Sequence, residues 1–317
     1  MDSVSDSILI GISACLTGQK VRYDGSAKKS HFCVEELGKH VSYKTYCPEV
    51  AVGMSVPRPT IRQTEIDGNI IVSSADGSND VTEPMQEYSE QVAQHVSHLS
   101  GFIFCAKSPS CGMERVKVYA ASGQSSRHDG VGVFAQAIMQ ANPLLPCEEN
   151  GRLNDAALRE NFVARVFAYN QWLKLKQAGI TRKRLIDFHS RMKYTLMSHD
   201  PLAVKRLGQI LADASLAVEE QAEQYISGCM ATLKIIATRK KHTNTLQHLQ
   251  GYFGDYLTSQ ERQILAEQIH RYRQGLVPLL VPIEQIKHYL KLYPQSYLQQ
   301  QFYFNPHPEE LKLRYTH

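Results

Sequence analysis

Short apolar runs, each closed by a turn-forming residue, mark the first 150 residues. Ile8-Leu9-Ile10-Gly11-Ile12 reads as a buried strand. Val41 to Tyr46 alternates with the period of a strand, and Asn69 to Val72 follows the Asp67-Gly68 turn pair. Gly101-Phe102-Ile103-Phe104-Cys105 has the near-continuous apolar character of a central parallel strand. Val116 to Tyr119 predicts a further strand. Between these runs the period changes. Phe32 to Leu37 predicts a short helix, Pro84 to Leu99 places Met85, Tyr88, Val92 and Val96 on one helical stripe, and Val131 to Met139 begins a helix after Gly130. Strands alternating with helices predict an α/β domain with a mainly parallel open sheet over residues 1–150.

Beyond that point only helical periods remain. Leu153 to Leu175 is a long amphipathic helix carrying Phe162, Val166, Tyr169 and Trp172. It is expected to pack on the sheet or bridge the halves, within a segment 151–181. Thr181 can cap a helix running to His199, with Leu185, Phe188, Met192 and Leu196 as its core stripe and His199 continuing it as a buried histidine. Further helices are expected over about 202–214 and 216–234, after the Thr258-Ser259-Gln260-Glu261 capping box, and from Pro282 to Leu292. Residues 182–317 therefore predict an all-α domain.

Charge sharpens this division. Residues 1–181 carry 17 Lys/Arg against 19 Asp/Glu, a net −2, and residues 182–317 carry 18 against 12, a net +6. A basic half suggests a polyanionic partner. Arg182, Lys183 and Arg184 occupy a helix's first turn, where the macrodipole disfavours cations. Arg182, His189 and Lys193 project along one line of that helix. A second basic run is Arg239-Lys240-Lys241-His242. No apolar run approaches a membrane span. Met1 to Asp6 is acidic and polar, unlike a secretory signal, so the cytoplasm is the expected location. There, the seven cysteines point to thiol, metal or redox chemistry rather than a disulfide framework.

Three of those cysteines end strand-like runs and precede a breaker: Cys15 before Gly18, Cys47 before Pro48, and Cys111 before Gly112. The carboxyl ends of strands border the ligand crevice of an open α/β sheet, so the three can meet in space. Glu49 beside Cys47 is a candidate general base. Tyr23, Asp24 and Arg58 are candidate pocket residues, with Pro57 and Pro59 stiffening the chain around Arg58. Cys105 falls within an apolar strand and reads as a small buried hydrophobe; Cys33, Cys147 and Cys229 read as packing or surface residues. No C-x-x-C pair occurs, and the spacings fail the ferredoxin patterns. Spacing leaves open separate structural thiols, a zinc site, or an iron–sulfur cluster with one open iron.

Together, Cys15-Leu16-Thr17-Gly18, Val21-Arg22-Tyr23-Asp24-Gly25, Cys47-Pro48-Glu49 with Gly53 and Pro57-Arg58, and Ser108-Pro109-Ser110-Cys111-Gly112 resemble the thiouracil desulfidase family over about residues 7–150. The resemblance implies a 4Fe–4S cluster held by Cys15, Cys47 and Cys111 with one open iron. It also implies a catalytic carboxylate at Glu49 and a catalytic hydroxyl at Ser108, with Ser110 the rival. Residues 182–310 resemble the helical domain often fused behind desulfidase domains. That likeness rests on His189, Arg191, Lys193 and Tyr194 with His199, on His248 to Phe253, and on Tyr272-Arg273 with Pro278-Leu279.

The fused form is similar to bacterial desulfidases of 4-thiouridine in tRNA. It implies a hydrolytic, cluster-dependent enzyme with tRNA or a thiolated nucleoside as partner and no membrane association. Arg182, His189, Arg191 and Lys193 are then expected to bind RNA, since cations meet phosphates and interleaved rings stack on unpaired bases. Two alternatives are the same chemistry on free thiouracil or thiouridine, with the helical half making a homo-oligomer, and a non-catalytic, cluster-containing RNA-binding regulator.

Overall fold

The computed structural model describes residues 8–315; the acidic stretch Met1 to Asp6 lies outside them. The chain divides into two compact units between Asn154 and Asp155.

The first unit contains two four-stranded sheets. In the first sheet β1 (Ile8–Ser13), β2 (Val41–Tyr46), β5 (Gly101–Phe104) and β8 (Cys147–Glu149) run in the order β2-β1-β5-β8, and every pairing is parallel. Parallelism brings all four carboxyl ends to one edge. Gly11 lets β5 close on β1, because a Cβ there would lie 2.4 Å from the Phe102 ring. Phe102 stacks on Phe104 with ring centroids 4.4 Å apart, and Tyr46 and Phe134 pack around them. These buried rings are the centre of the core beneath that edge.

The second sheet was not expected as a separate layer. It joins β3 (Ile61–Ile66), β4 (Asn69–Ser74), β6 (Val116–Ala120) and β7 (Ser126–Gly130) in the order β4-β3-β6-β7. β3 pairs antiparallel with β4 through the Asp67-Gly68 turn and parallel with β6, while β6 pairs antiparallel with β7. The runs at Asn69 and Val116 therefore belong to this mixed sheet. Helix α1 (Pro48–Ala51) follows β2 directly, and α2 (Thr82–Gln94) and α3 (Val133–Ala141) pack on each other.

The second unit is helical. It contains α4 (Ala156–Gln177), α5 (Arg182–His199), α6 (Pro201–Ala212), α7 (Val218–Lys234), α8 (Arg239–Gly251), α9 (Ser259–Arg273), α10 (Leu280–Leu292) and the short α11 (Ser296–Gln299). The helix expected to bridge the halves, α4, is part of this unit, where Asn161 Nδ2 donates to Leu233 O at 2.9 Å. Thr181 Oγ1 caps α5 and Thr258 with Glu261 forms the capping box of α9. The α5 stripe Leu185, Phe188, Met192 and Leu196 is buried. His199 is buried too, with Nδ1 2.5 Å from Ile235 O and its pKa lowered by that burial. No helix among the described residues is long and apolar enough to cross a membrane.

Candidate active site

A cavity of about 340 Å³ opens at the carboxyl edge of the parallel sheet. Cys15 enters it from the 3₁₀ turn Ala14–Thr17 after β1, Cys47 from the N-terminus of α1 after β2, and Cys111 from the turn that follows β5. Residues separated by 32 and 64 positions in the chain thus share one cavity, together with Tyr23, Glu49, Arg58 and Ser108.

Burial and neighbouring groups raise all three thiols above the usual cysteine range. Cys15 is raised by a hydrogen bond with Cys105 and by burial, Cys47 by burial, and Cys111 by burial and the nearby Glu49 charge. A group that binds them as thiolates must supply the positive charge that ionises them. Among the described residues no three His, Cys, Asp or Glu side chains close around a point suited to one metal ion.

Cys105 corrects the sequence reading. The strand ends at Phe104, and Cys105 N leaves the ladder to donate to Ser13 Oγ at 3.0 Å. Its side chain lines the cavity as a fourth thiol, and the hydrogen bond with Cys15 pushes its pKa down to about 7. One proton shared between two sulfurs raises one partner as it lowers the other, so the two titrate as a pair. By contrast, Cys33 and Cys229 are buried away from the cavity, with burial raising them to about 11 and about 12.

Glu49 is oriented from two sides. Its Oε2 pairs with Arg58 Nη2, and its Oε1 accepts from Ser110 Oγ at 2.7 Å. Arg58 was expected to bind substrate. Its side chain is 2% exposed, and the guanidinium also donates to Val21 O at 2.9 Å and Ser55 O at 3.2 Å. It lines the cavity but is committed to positioning Glu49.

The two serines divide their roles. Ser108 lines the cavity, whereas Ser110 is fully buried and is not part of the lining. Ser108 Oγ accepts from Cys111 N at 3.1 Å and Ser110 N at 3.3 Å, which occupies its lone pairs. Its proton therefore points to Ser110 Oγ, 2.9 Å away, and the Ser110 proton points to Glu49. The hydrogen-bond direction is Ser108 to Ser110 to Glu49. Ser110 thus bridges Ser108 and Glu49 from behind the cavity wall.

Tyr23 stands half exposed at the rim with the Arg22 guanidinium 5.4 Å from its ring centroid. Asp24 does not line the cavity. Its carboxylate closes a local turn on Ser26 N and Oγ, and those bonds lower its pKa. Lys107 lines the cavity in the left-handed region at φ 64°, a conformation costly for a residue with a Cβ.

Sequence reasoning missed Gln63. Buried on β3, its Nε2 donates to Pro109 O at 2.9 Å and Val131 O at 2.7 Å. Gly132 N donates to Gly112 O at 2.8 Å, and Phe134 N donates to Ser110 O at 2.9 Å. A Cβ on Gly132 would lie 2.5 Å from Ser110 C and O. The Ser-Pro-Ser-Cys turn is therefore gripped by the second sheet and by the start of α3.

The cations expected to face RNA do not share one face. Arg191 lies nine residues, or two and a half helical turns, from Arg182 and so projects from the opposite side of α5. Arg182 Nη2 donates to Leu216 O at 2.8 Å, and Arg184 Nη1 donates to Ala178 O and Gly179 O. His189 is half-buried with Nδ1 3.3 Å from Tyr225 OH, and burial followed by the Lys193 charge lowers its pKa. Lys193 Nζ lies over the Tyr194 and Tyr297 rings. Arg191 is exposed and borders a cavity of mixed lining with Phe167, Gln171, Gln299, Phe302 and Asn305. In the second basic run, Arg239 donates to Tyr272 O, Lys241 donates to His199 O, and His242 meets Tyr303 OH at 2.9 Å.

A parallel α/β unit with strand-end cysteines and a serine-linked carboxylate, joined in one chain to a helical unit, defines a two-part protein. Residues 10–150 match the family model described as 2-thiouracil desulfurase, and residues 193–308 match that described as a protein of unknown function, DUF1722. The chain is 38% identical over 159 residues to the uncharacterized protein YbgA of Escherichia coli (strain K12), spanning 50% of this chain and 94% of that protein. By this likeness the chain belongs to that protein's family. A solved structure, that of the 4Fe–4S-dependent thiouracil desulfidase TudS, is 28% identical and covers 48% of this chain and 97% of its own, with a TM-score of 0.39.

Proposed function

We propose that the protein is a hydrolytic desulfidase that converts 4-thiouridine, in tRNA, to uridine and hydrosulfide. The observation that carries this reading is the shared cavity: three strand-end cysteines, Glu49 and Ser108 line it together. Cys15, Cys47 and Cys111 would hold a 4Fe–4S cluster, leaving one iron open. Their fit rests on three thiols that converge on one cavity. Bound there, the cluster would supply a Lewis-acidic iron for the thiocarbonyl sulfur.

The chain's own groups supply the rest. Glu49, fixed by Arg58 and Ser110, takes a proton from water that adds to the ring carbon. Ser108 is the hydroxyl at the cavity end of the Ser108–Ser110–Glu49 chain, which carries a proton back to the departing group. C–O bond formation, C–S cleavage and proton return balance without net electron transfer. At the lining, Lys28 and Lys107 have no carboxylate partner among the described residues, which suits a substrate bearing phosphates.

The second reading is the same chemistry on free thiouracil or thiouridine, with the helical unit as an oligomerisation module. It is favoured by the commitment of Arg182, Lys193, Arg239 and Lys241 to carbonyls and rings within the helical unit. Anaerobic turnover of thiolated tRNA beside free 4-thiouridine tests the choice. Preference for tRNA supports the proposal. Equal or better turnover of the nucleoside transfers it to the second reading, and no sulfide from either overturns both.

A further inference from the structure

Cys105 is unused by the proposed reaction, yet it sits beside a group that the reaction needs. β1 and β5 are adjacent and parallel with Ile12 opposite Ile103, so two residues further Ala14 comes abreast of Cys105 and Cys15 follows. Cys105 therefore lies across from the residue before Cys15 on strands about 4.8 Å apart, and a disulfide takes roughly 4.4–6.8 Å between Cα atoms. Cys105 N is tied to Ser13 Oγ, which holds this alignment past the strand ends. Both residues line the same cavity, and each thiol is the largest influence on the ionisation of the other.

We infer that Cys15 and Cys105 form a reversible disulfide when the metal-free protein meets a low-molecular-weight disulfide, and that this bond withdraws Cys15 from the metal site. The consequence for metal rests on the cluster reading above; the bond itself does not. One cysteine thiolate attacks a sulfur of the small disulfide, forming a mixed disulfide and expelling one small thiolate. The other cysteine then attacks the protein sulfur of that mixed disulfide and expels the second small thiolate. The two cysteines lose two electrons and two protons. The small disulfide gains both electrons, and the released thiolates take up the protons. Reduction by a dithiol reverses the sequence. The pair would act as a guard: oxidised, it refuses metal and shields Cys15 from further oxidation; reduced, it presents the thiol again.

The test uses the full-length chain, prepared anaerobically and stripped of metal, with one equivalent of oxidised glutathione. Wild type, Cys105→Ser, Cys105→Ala and the control Cys33→Ser are compared by intact mass, peptide mapping and iron uptake before and after dithiothreitol. Wild type and Cys33→Ser are expected to lose about 2 Da, to yield a Cys15–Cys105 cross-linked peptide, and to take up iron only after reduction. Both Cys105 variants are expected to lack that peptide and to load iron after the same treatment; the alanine variant keeps the site apolar should serine disturb folding. A link between another cysteine pair, or no link in wild type, overturns the inference. So does equal loss of iron uptake in the Cys105 variants. Unoxidised wild type that takes up no iron overturns the cluster reading instead, and the cross-link still reports on the thiol pair.

Discussion

Replacing Glu49 with alanine should do two separable things. It deletes the candidate base, and it strands Arg58, whose side chain is 2% exposed. Removing one partner of a buried ion pair costs about 3–5 kcal/mol. Val21 O and Ser55 O still accept from the guanidinium, which places the expected loss near the lower limit, about 3 kcal/mol. Glu49→Gln keeps an oxygen for Ser110 or Arg58 and should lose less. Both variants should lose roughly 10²–10⁴ in kcat.

Urea unfolding followed by far-UV circular dichroism, beside sulfide release, measures the two effects on one preparation. Trp172 is the single tryptophan and belongs to the helical unit, so its fluorescence reports that unit. Adding Arg58→Met to Glu49→Ala should recover much of the lost stability, because the orphaned charge is gone, but none of the rate. Wild-type kcat in Glu49→Gln would remove Glu49 from the chemistry. Wild-type stability in Glu49→Ala would refute the positioning role of Arg58.

Serine at Cys15, Cys47 or Cys111 should each abolish full iron loading after anaerobic reconstitution, whereas serine at Cys33 or Cys229 should not; iron analysis decides. In the helical unit, Glu160 is half-buried: burial alone would raise its pKa, but the nearby His307 ring, 3.6 Å away, and the Arg314 charge outweigh burial and hold it well below the usual range. A depressed folded-state pKa contributes stability that is present above the unfolded value of about 4.3 and lost as pH falls through the folded one. Trp172 fluorescence in urea should therefore report falling stability below about pH 4.3, and Glu160→Gln should flatten that dependence. Arg191→Ala should weaken tRNA binding and lower the slope of log K against log salt by about one unit, while Arg182→Ala should mainly loosen the Leu216 loop. A full slope in Arg191→Ala would end its assignment to phosphate.

The strand-end cysteines were legible because their signal is local: an apolar run, a thiol and a breaker within a few residues. Cys105 lacked that signal. It extends an apolar run, and only the long-range bond to Ser13 takes it out of the ladder. β7 is polar throughout and exposed along Ser126 to Asp129, so no hydrophobic alternation announces it. It exists because β6 offers it a partner. Gln63 reads as an incidental polar residue until the turn it holds is folded against it. Charge counts are coarse for a related reason. A count cannot tell that Arg184, Arg239 and Lys241 spend their donors on carbonyls, whereas capping boxes and core stripes are written in neighbouring residues.

The grip on the Ser-Pro-Ser-Cys turn has a thermodynamic consequence. Gln63, Gly132 and the first N–H groups of α3 hold its backbone through contacts within the protein. The conformational entropy of ordering that loop, about 1–2 kcal/mol per residue, is therefore spent during folding and is not deducted when something binds. Ser108, Ser110 and Cys111 are presented as a rigid unit whose shape is independent of its occupant. Whatever enters the cavity has to conform to the turn, and selectivity at that wall is set by the second sheet, several residues away from any group that takes part in the chemistry.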